Sequence, residues 1–122
     1  MKSVYVAGPM TGYPEFNFPA FHKAAKSLRK QGWNVHNPAE KDMESELHGT
    51  AVKTGNAALA IKKGFDFREA FLWDTARVIE GDGIYMLKGW EQSPGARAEH
   101  AVATVIKKSY PDYKIMYEGV KE

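Results

Sequence analysis

The sequence predicts one α/β domain, an open parallel sheet between helical layers in a flavodoxin-like or Rossmann-like three-layer sandwich. Three observations carry this reading. Short β-branched or aromatic runs end at Gly or Pro, segments of helical periodicity alternate with them, and 122 residues fill a single domain, taken as 1–122.

The first strand is Ser3-Val4-Tyr5-Val6-Ala7, cut off by Gly8-Pro9 and followed by a Gly-rich loop through Tyr13-Pro14. Asn17 is the expected N-cap of a helix with Pro19 in its first turn, where a missing N–H costs nothing. Phe18, Phe21, Ala25 and Leu28 recur at helical spacing, and Gly32 ends the helix. Trp33 to Asn37 reads as a second strand, stopped by Pro38. Residues 39–65 read as an insertion or lid. They carry the acids Glu40, Asp42, Glu44 and Glu46, the interrupting Gly49, Gly55 and Gly64, and one short helix from Ala57 to Lys62. Asp66 caps a helix running to about Glu80, and Gly81-Asp82-Gly83 breaks it. Ile84 to Leu87 is the third strand, Lys88 to Ser93 a loop, Pro94 to about Lys108 a helix, and Tyr113 to Tyr117 the fourth strand. A β-α-β-insert-α-β-α-β order implies an open parallel sheet with helices on both faces.

Composition removes several classes of function. Seventeen Lys and Arg against fifteen Asp and Glu leave a net charge of +2, too little for a nucleic-acid groove, and no block of like charge exists to build one. With no cysteine, disulfide scaffolds, thiolate zinc sites and cysteine nucleophiles are excluded. No apolar run approaches a membrane span and the N-terminus lacks a signal-peptide core, so the expected location is cytoplasmic, with no membrane partner.

Two acids break the amphipathic pattern. On the helix from Asp66 the inward face should carry Phe67, Ala70, Phe71 and Val78, and Asp74 falls on that stripe. On the last helix Ala96, Val102, Ala103 and Ile106 share a face, and Glu99 lies on it. A carboxylate aimed at a sheet is paired, hydrogen-bonded or facing a cleft. Both helices flank the third strand, so the two acids can converge at its C-terminal end, where open α/β sheets place ligands. Glu99 also feels the positive end of its own helix and suits a nucleophile, while Asp74 suits proton handling or a polar substrate group. The structural alternative is a buried salt bridge to Arg68, Arg77 or Arg97.

The loops at that edge fit a ligand. Gly8-Pro9-Met10-Thr11-Gly12 follows the first strand, and Ser93-Pro94-Gly95 opens the last helix, offering backbone amides and a hydroxyl to a phosphate or sugar oxygen. Their glycines can equally serve only as tight turns, and no dinucleotide or P-loop fingerprint occurs. Trp90, in the loop before Ser93, is a candidate to stack on a base; Trp33 and Trp73 read as packing residues, and Glu91 as a solvated reserve acid. His22, His36, His48 and His100 show no metal-ligand spacing, and His100 reads as structural or surface.

Val4-Tyr5-Val6-Ala7-Gly8-Pro9, then Asp74, then Ser93-x-Gly95-x-x-x-Glu99 with Ala101 and Ala103, resembles the nucleoside 2-deoxyribosyltransferases and their relatives, the 2'-deoxynucleoside 5'-monophosphate N-glycosidases. Small proteins, many phage-encoded, share the pattern, which covers most of the chain outside residues 39–65. The resemblance implies that Glu99 attacks the anomeric carbon and forms a covalent glycosyl-enzyme. It implies that Tyr5 orients Glu99 and that Asp74 serves the sugar and the leaving base. It further implies that Ser93 and Gly95 grip the 5' end of the substrate opposite the loop from Gly8 to Gly12. The transferases tend to carry Asp where this chain has Ser93, whereas the monophosphate hydrolases carry Ser. A hydroxyl tolerates a phosphate that a carboxylate would repel. The hydrolases also place an arginine in the first loop, where this chain has Thr11. A retaining double displacement needs no metal or redox cofactor, and the relatives are homo-oligomers acting on small molecules. The expected activity is therefore N-glycosidic cleavage or transfer on a deoxynucleoside or its monophosphate. The alternative is a cleft that binds a nucleotide or nucleotide-derived signal without turnover.

Overall fold

A computed structural model describes residues 1–44, 56–62 and 64–120. Four strands, β1 (Ser3–Ala7), β2 (Asn34–His36), β3 (Gly83–Met86) and β4 (Lys114–Tyr117), form one sheet in the order β2-β1-β3-β4, and every neighbouring pair is parallel. The helices are α1 (Phe18–Lys30), α2 (Pro38–Glu44), α3 (Ala57–Lys62), α4 (Phe67–Glu80) and α5 (Pro94–Ser109), with short 3-10 turns at Pro14–Asn17 and Trp90–Gln92. The chain is thus a Rossmann-like α/β domain of the predicted class. Among the described residues no helix is long and apolar enough to cross a membrane.

Alternation along β1 divides the core. Val4 and Val6 point to one face and pack with Phe18, Phe21, Ala25 and Leu28 of α1. Tyr5 and Ala7 point to the other and pack with Val78 of α4 and with Ala96 and Ala103 of α5. From β1 the chain crosses by α1 to β2; it then returns over β1 by α4 to β3 and continues by α5 to β4. The connections leaving β1 and β3 diverge at their C-terminal ends. That divergence is the switch point at which such sheets open a crevice.

Several local expectations need correction. Pro38 does more than stop β2: it begins α2, because Asn37 caps the helix, its Oδ1 accepting from Ala39 N at 2.9 Å. The acidic start of the insertion is therefore helical, and Glu40 is clamped by both terminal nitrogens of Arg29 at 2.7 Å. Of the insertion or lid read over 39–65, residues 45–55 and 63 lie outside the described residues, Glu46 among them. Asn17 stands at the N-cap of α1 but does not cap it; its Nδ2 donates to Pro9 O at 3.0 Å, tying the first loop to the helix. Glu15, Phe16 and Asn17 adopt φ of 57°, 52° and 62°, a left-handed run that L-residues resist. The run turns Phe16 inward, where it is buried. Asp66 caps α4 as read, accepting from Glu69 N at 3.0 Å.

Candidate active site

A cavity of about 510 Å³ occupies the crevice. Its floor is Tyr5, two residues before the C-terminal end of β1, with a side chain on the face covered by α4 and α5. The Tyr5 hydroxyl donates to Glu99 Oε2 at 2.9 Å, with both residues buried at 1% and 5% exposure. Burial first, then the charges of Glu99 and Asp74, hold the phenol's pKa well above its ordinary value, so it stays a protonated donor. Both carboxylates act on this one hydroxyl, which brings the three proposed catalytic residues together.

Local sequence explains each position. Glu99 sits in the second turn of α5, between Ala96 and Ala103, whose small side chains let the helix press on the sheet and carry the carboxylate in with it. Asp74 is half-buried mid-helix on α4, one turn before the fully buried Val78. The N-terminal part of that stripe departs from expectation. Phe67, Ala70 and Phe71 line the cavity instead of packing on the sheet, and Phe67 is 51% exposed. The rings of Phe67 and Phe71 lie parallel, 5.9 Å apart. Arg77 pairs with Glu80 at 3.0 Å and lies over Trp73, and Arg68 and Arg97 are exposed.

The two loops converge as walls. Gly8, Pro9, Met10 and Thr11 line the cavity. Gly8 is required there, since a Cβ would stand 2.7 Å from Leu87 Cβ. Gly12 does not line the cavity; with φ 86° it makes the turn that carries the loop back. Ser93 and Gly95 line the opposite wall, and Ser93 Oγ caps α5 by accepting from Ala96 N at 3.2 Å, which leaves its own O–H to donate.

Trp90 is a correction. It does not line the cavity: Gly89, at φ 88°, turns the loop so that the indole stacks on His100 at 4.3 Å and lies 6.2 Å from Tyr117. His100 Nε2 in turn bonds the Tyr117 hydroxyl at 2.8 Å, and burial lowers its pKa. This cluster anchors the loop from behind. Glu91 is exposed. Sequence reading missed the aromatic wall of Tyr13, Phe16, Phe21 and Phe65, and also Gln92 beside Ser93. Only the spacing of Phe16 to the Gly-rich loop signalled it, and that spacing equally fits a core residue.

The arrangement offers a buried carboxylate held by a phenol, a second carboxylate beside it and an apolar pocket large enough for a small organic molecule. The family described as a domain of unknown function, DUF4406, matches residues 2–110, and the chain belongs to that family. No curated protein and no solved structure matches it.

Proposed function

We propose that this chain cleaves or transfers at the N-glycosidic bond of a 2'-deoxynucleoside or its 5'-monophosphate, through a covalent glycosyl intermediate on Glu99. The observation that supports it most is the contact of Tyr5 with Glu99 beside Asp74, on the floor of a cavity at the sheet's switch point. The resemblance to the nucleoside 2-deoxyribosyltransferases assigns the same three residues to catalysis.

Loss of the base builds oxocarbenium character at the anomeric carbon, which the Glu99 carboxylate stabilises before bonding to it. The Tyr5 hydroxyl fixes one carboxylate oxygen and so aims the other. Asp74 holds the sugar or handles the proton that the departing base or incoming water exchanges. Ser93 and the Gly8–Thr11 wall grip the 5' end. The Ser93 hydroxyl admits either a 5'-hydroxyl or a 5'-phosphate. By the same resemblance the enzyme works in the cytoplasm as a homo-oligomer. Leu72 and Ile79 on α4 and Val105 on α5 stand 72%, 50% and 68% exposed, apolar side chains that a neighbouring copy could cover.

The test is chromatography of free base after incubation with deoxynucleosides and their monophosphates, with and without a second base, for wild type and Glu99→Gln. Base release by wild type and none by Glu99→Gln is expected. New nucleosides formed only with added base identify a transferase. An active Glu99→Gln enzyme removes Glu99 from the mechanism, and tight binding without turnover replaces catalysis by signal binding.

A further inference from the structure

We infer that Trp90 and His100 are positioning residues of this site: stacked on each other behind the loop from Lys88 to Ser93, they hold its front at the 5' end of the nucleoside and so set how tightly the 5' oxygen is gripped. The inference rests on the N-glycosidic reading and extends it to two side chains that do not line the cavity.

The first ground is the anchor. The Trp90 indole lies 4.3 Å from the His100 imidazole at an interplanar angle of 28°, and His100 Nε2 bonds the Tyr117 hydroxyl at 2.8 Å. The indole also lies 6.2 Å from the Tyr117 ring. The loop is thereby fastened to α5 and to the last residue of β4, two elements of regular structure. Ring contacts of this kind contribute beyond the area they bury.

The second ground is the path from the anchor to the cavity. Trp90 O accepts from Ser93 N at 3.0 Å and Gly89 O accepts from Gln92 N at 3.1 Å, so residues 89–93 turn as one unit. A shift of the indole therefore moves Gln92 and Ser93, which do line the cavity. Ser93 is also the N-cap of α5, and helix ends fray. The stack holds this end together, and with it the Ser93 hydroxyl in the wall.

The third ground is the front of the same turn. A Cβ on Gly89 would stand 2.9 Å from the Tyr13 hydroxyl and 3.3 Å from Pro9 Cγ, so the turn meets the first loop at closest approach. Loosened at the back, the turn loses its register with that loop, and both walls at the 5' end open together. Glu99 precedes His100 on α5; its carboxylate turns to Tyr5 while the imidazole turns to Tyr117. One turn of helix thus carries the proposed nucleophile and the anchor of the 5' grip, which fixes the spacing between them.

The experiment measures KM and kcat of base release for 2'-deoxyadenosine beside 2',5'-dideoxyadenosine, and for thymidine beside 5'-deoxythymidine, in wild type, Trp90→Ala, Trp90→Phe and His100→Ala. In Trp90→Ala, KM for the nucleosides with a 5' oxygen is expected to rise about three- to tenfold, the share of one hydrogen bond, with kcat changing less. KM for the 5'-deoxy analogues should stay as in wild type. Trp90→Phe keeps a ring on His100 and should recover most of the affinity. His100→Ala should repeat the Trp90→Ala pattern, and the double variant should be no worse than either alone, because the two residues act as a unit. If Trp90→Ala does not fold, Trp90→Leu, apolar but without a ring, takes its place. Equal loss for both members of a pair, or no loss for either, overturns the inference while leaving N-glycosidic cleavage standing. If wild type releases no base, calorimetric affinities for the same nucleosides read the same ratio. Selective weakening in Trp90→Ala then upholds the positioning role and overturns the catalytic reading, and binding of none overturns both.

Discussion

Replacing Tyr5 by Phe removes one oxygen and leaves the shape of the core intact. It deletes a buried hydrogen bond to an acid, at 2.9 Å between groups 1% and 5% exposed. Bonds of this kind contribute about 1.5–3 kcal/mol. With an unfolding entropy of roughly 2.1 cal/mol/K per residue over this chain, 1 kcal/mol corresponds to about 4 °C, so the melting temperature at pH 7 should fall by about 6–12 °C. The alkaline limb moves oppositely. The Tyr5 pKa is raised in the folded state, so above the unfolded value near 10 the unfolded chain loses this proton while the folded chain keeps it. The stability that depends on the shift is complete below about pH 10 and declines as pH rises, by up to ~1.4 kcal/mol per pH unit for this group. Tyr5→Phe lacks that loss. Urea unfolding of both proteins at pH 8, 10 and 11 should show the gap between them narrowing by about 1 kcal/mol from pH 10 to 11. A gap that stays constant with pH, or a variant as stable as wild type at pH 7, would refute the reasoning.

Three further outcomes follow from particular contacts. Gly8→Ala sets a Cβ 2.7 Å from Leu87 Cβ, an atom the backbone fixes, and should cost about 1–3 kcal/mol in urea unfolding while weakening substrate binding through a displaced loop. Glu15→Gly relieves a left-handed φ of 57° at an exposed position and should raise the melting temperature by about 2–4 °C, against a fall if the turn is unstrained. Ser93→Ala removes the cap bond to Ala96 and should cost about 1 kcal/mol of stability, with a raised KM reporting the lost hydroxyl at the 5' end.

The layers of this fold were legible because β1 is a short β-branched and aromatic run cut off by Gly8-Pro9, and because glycines stop the first helix at Gly32 and the helix from Asp66 at Gly81. Asp74 and Glu99 were legible as charges on stripes that should be apolar, which is why topology alone could bring them to one edge. Asn37 was missed as a helix cap because Pro38 reads as a strand breaker before it reads as a helix start. Trp90 was misplaced for a different reason: the φ of Gly89 decides which way the indole turns, and sequence does not carry a dihedral angle. The aromatic wall was hidden because Phe67 and Phe71 have core spacing, and only the opening of the sheet at its switch point leaves them without a strand to cover.

The central claim is that Glu99 becomes covalently bonded to the sugar. The direct measurement is acid quench of the wild-type enzyme during turnover of a deoxynucleoside, followed by peptide mass mapping. The account predicts a deoxyribosyl adduct on the peptide containing Glu99, absent from Glu99→Gln and diminished in Tyr5→Phe. Turnover with no adduct on that peptide, or an adduct on Asp74 in its place, would contradict it.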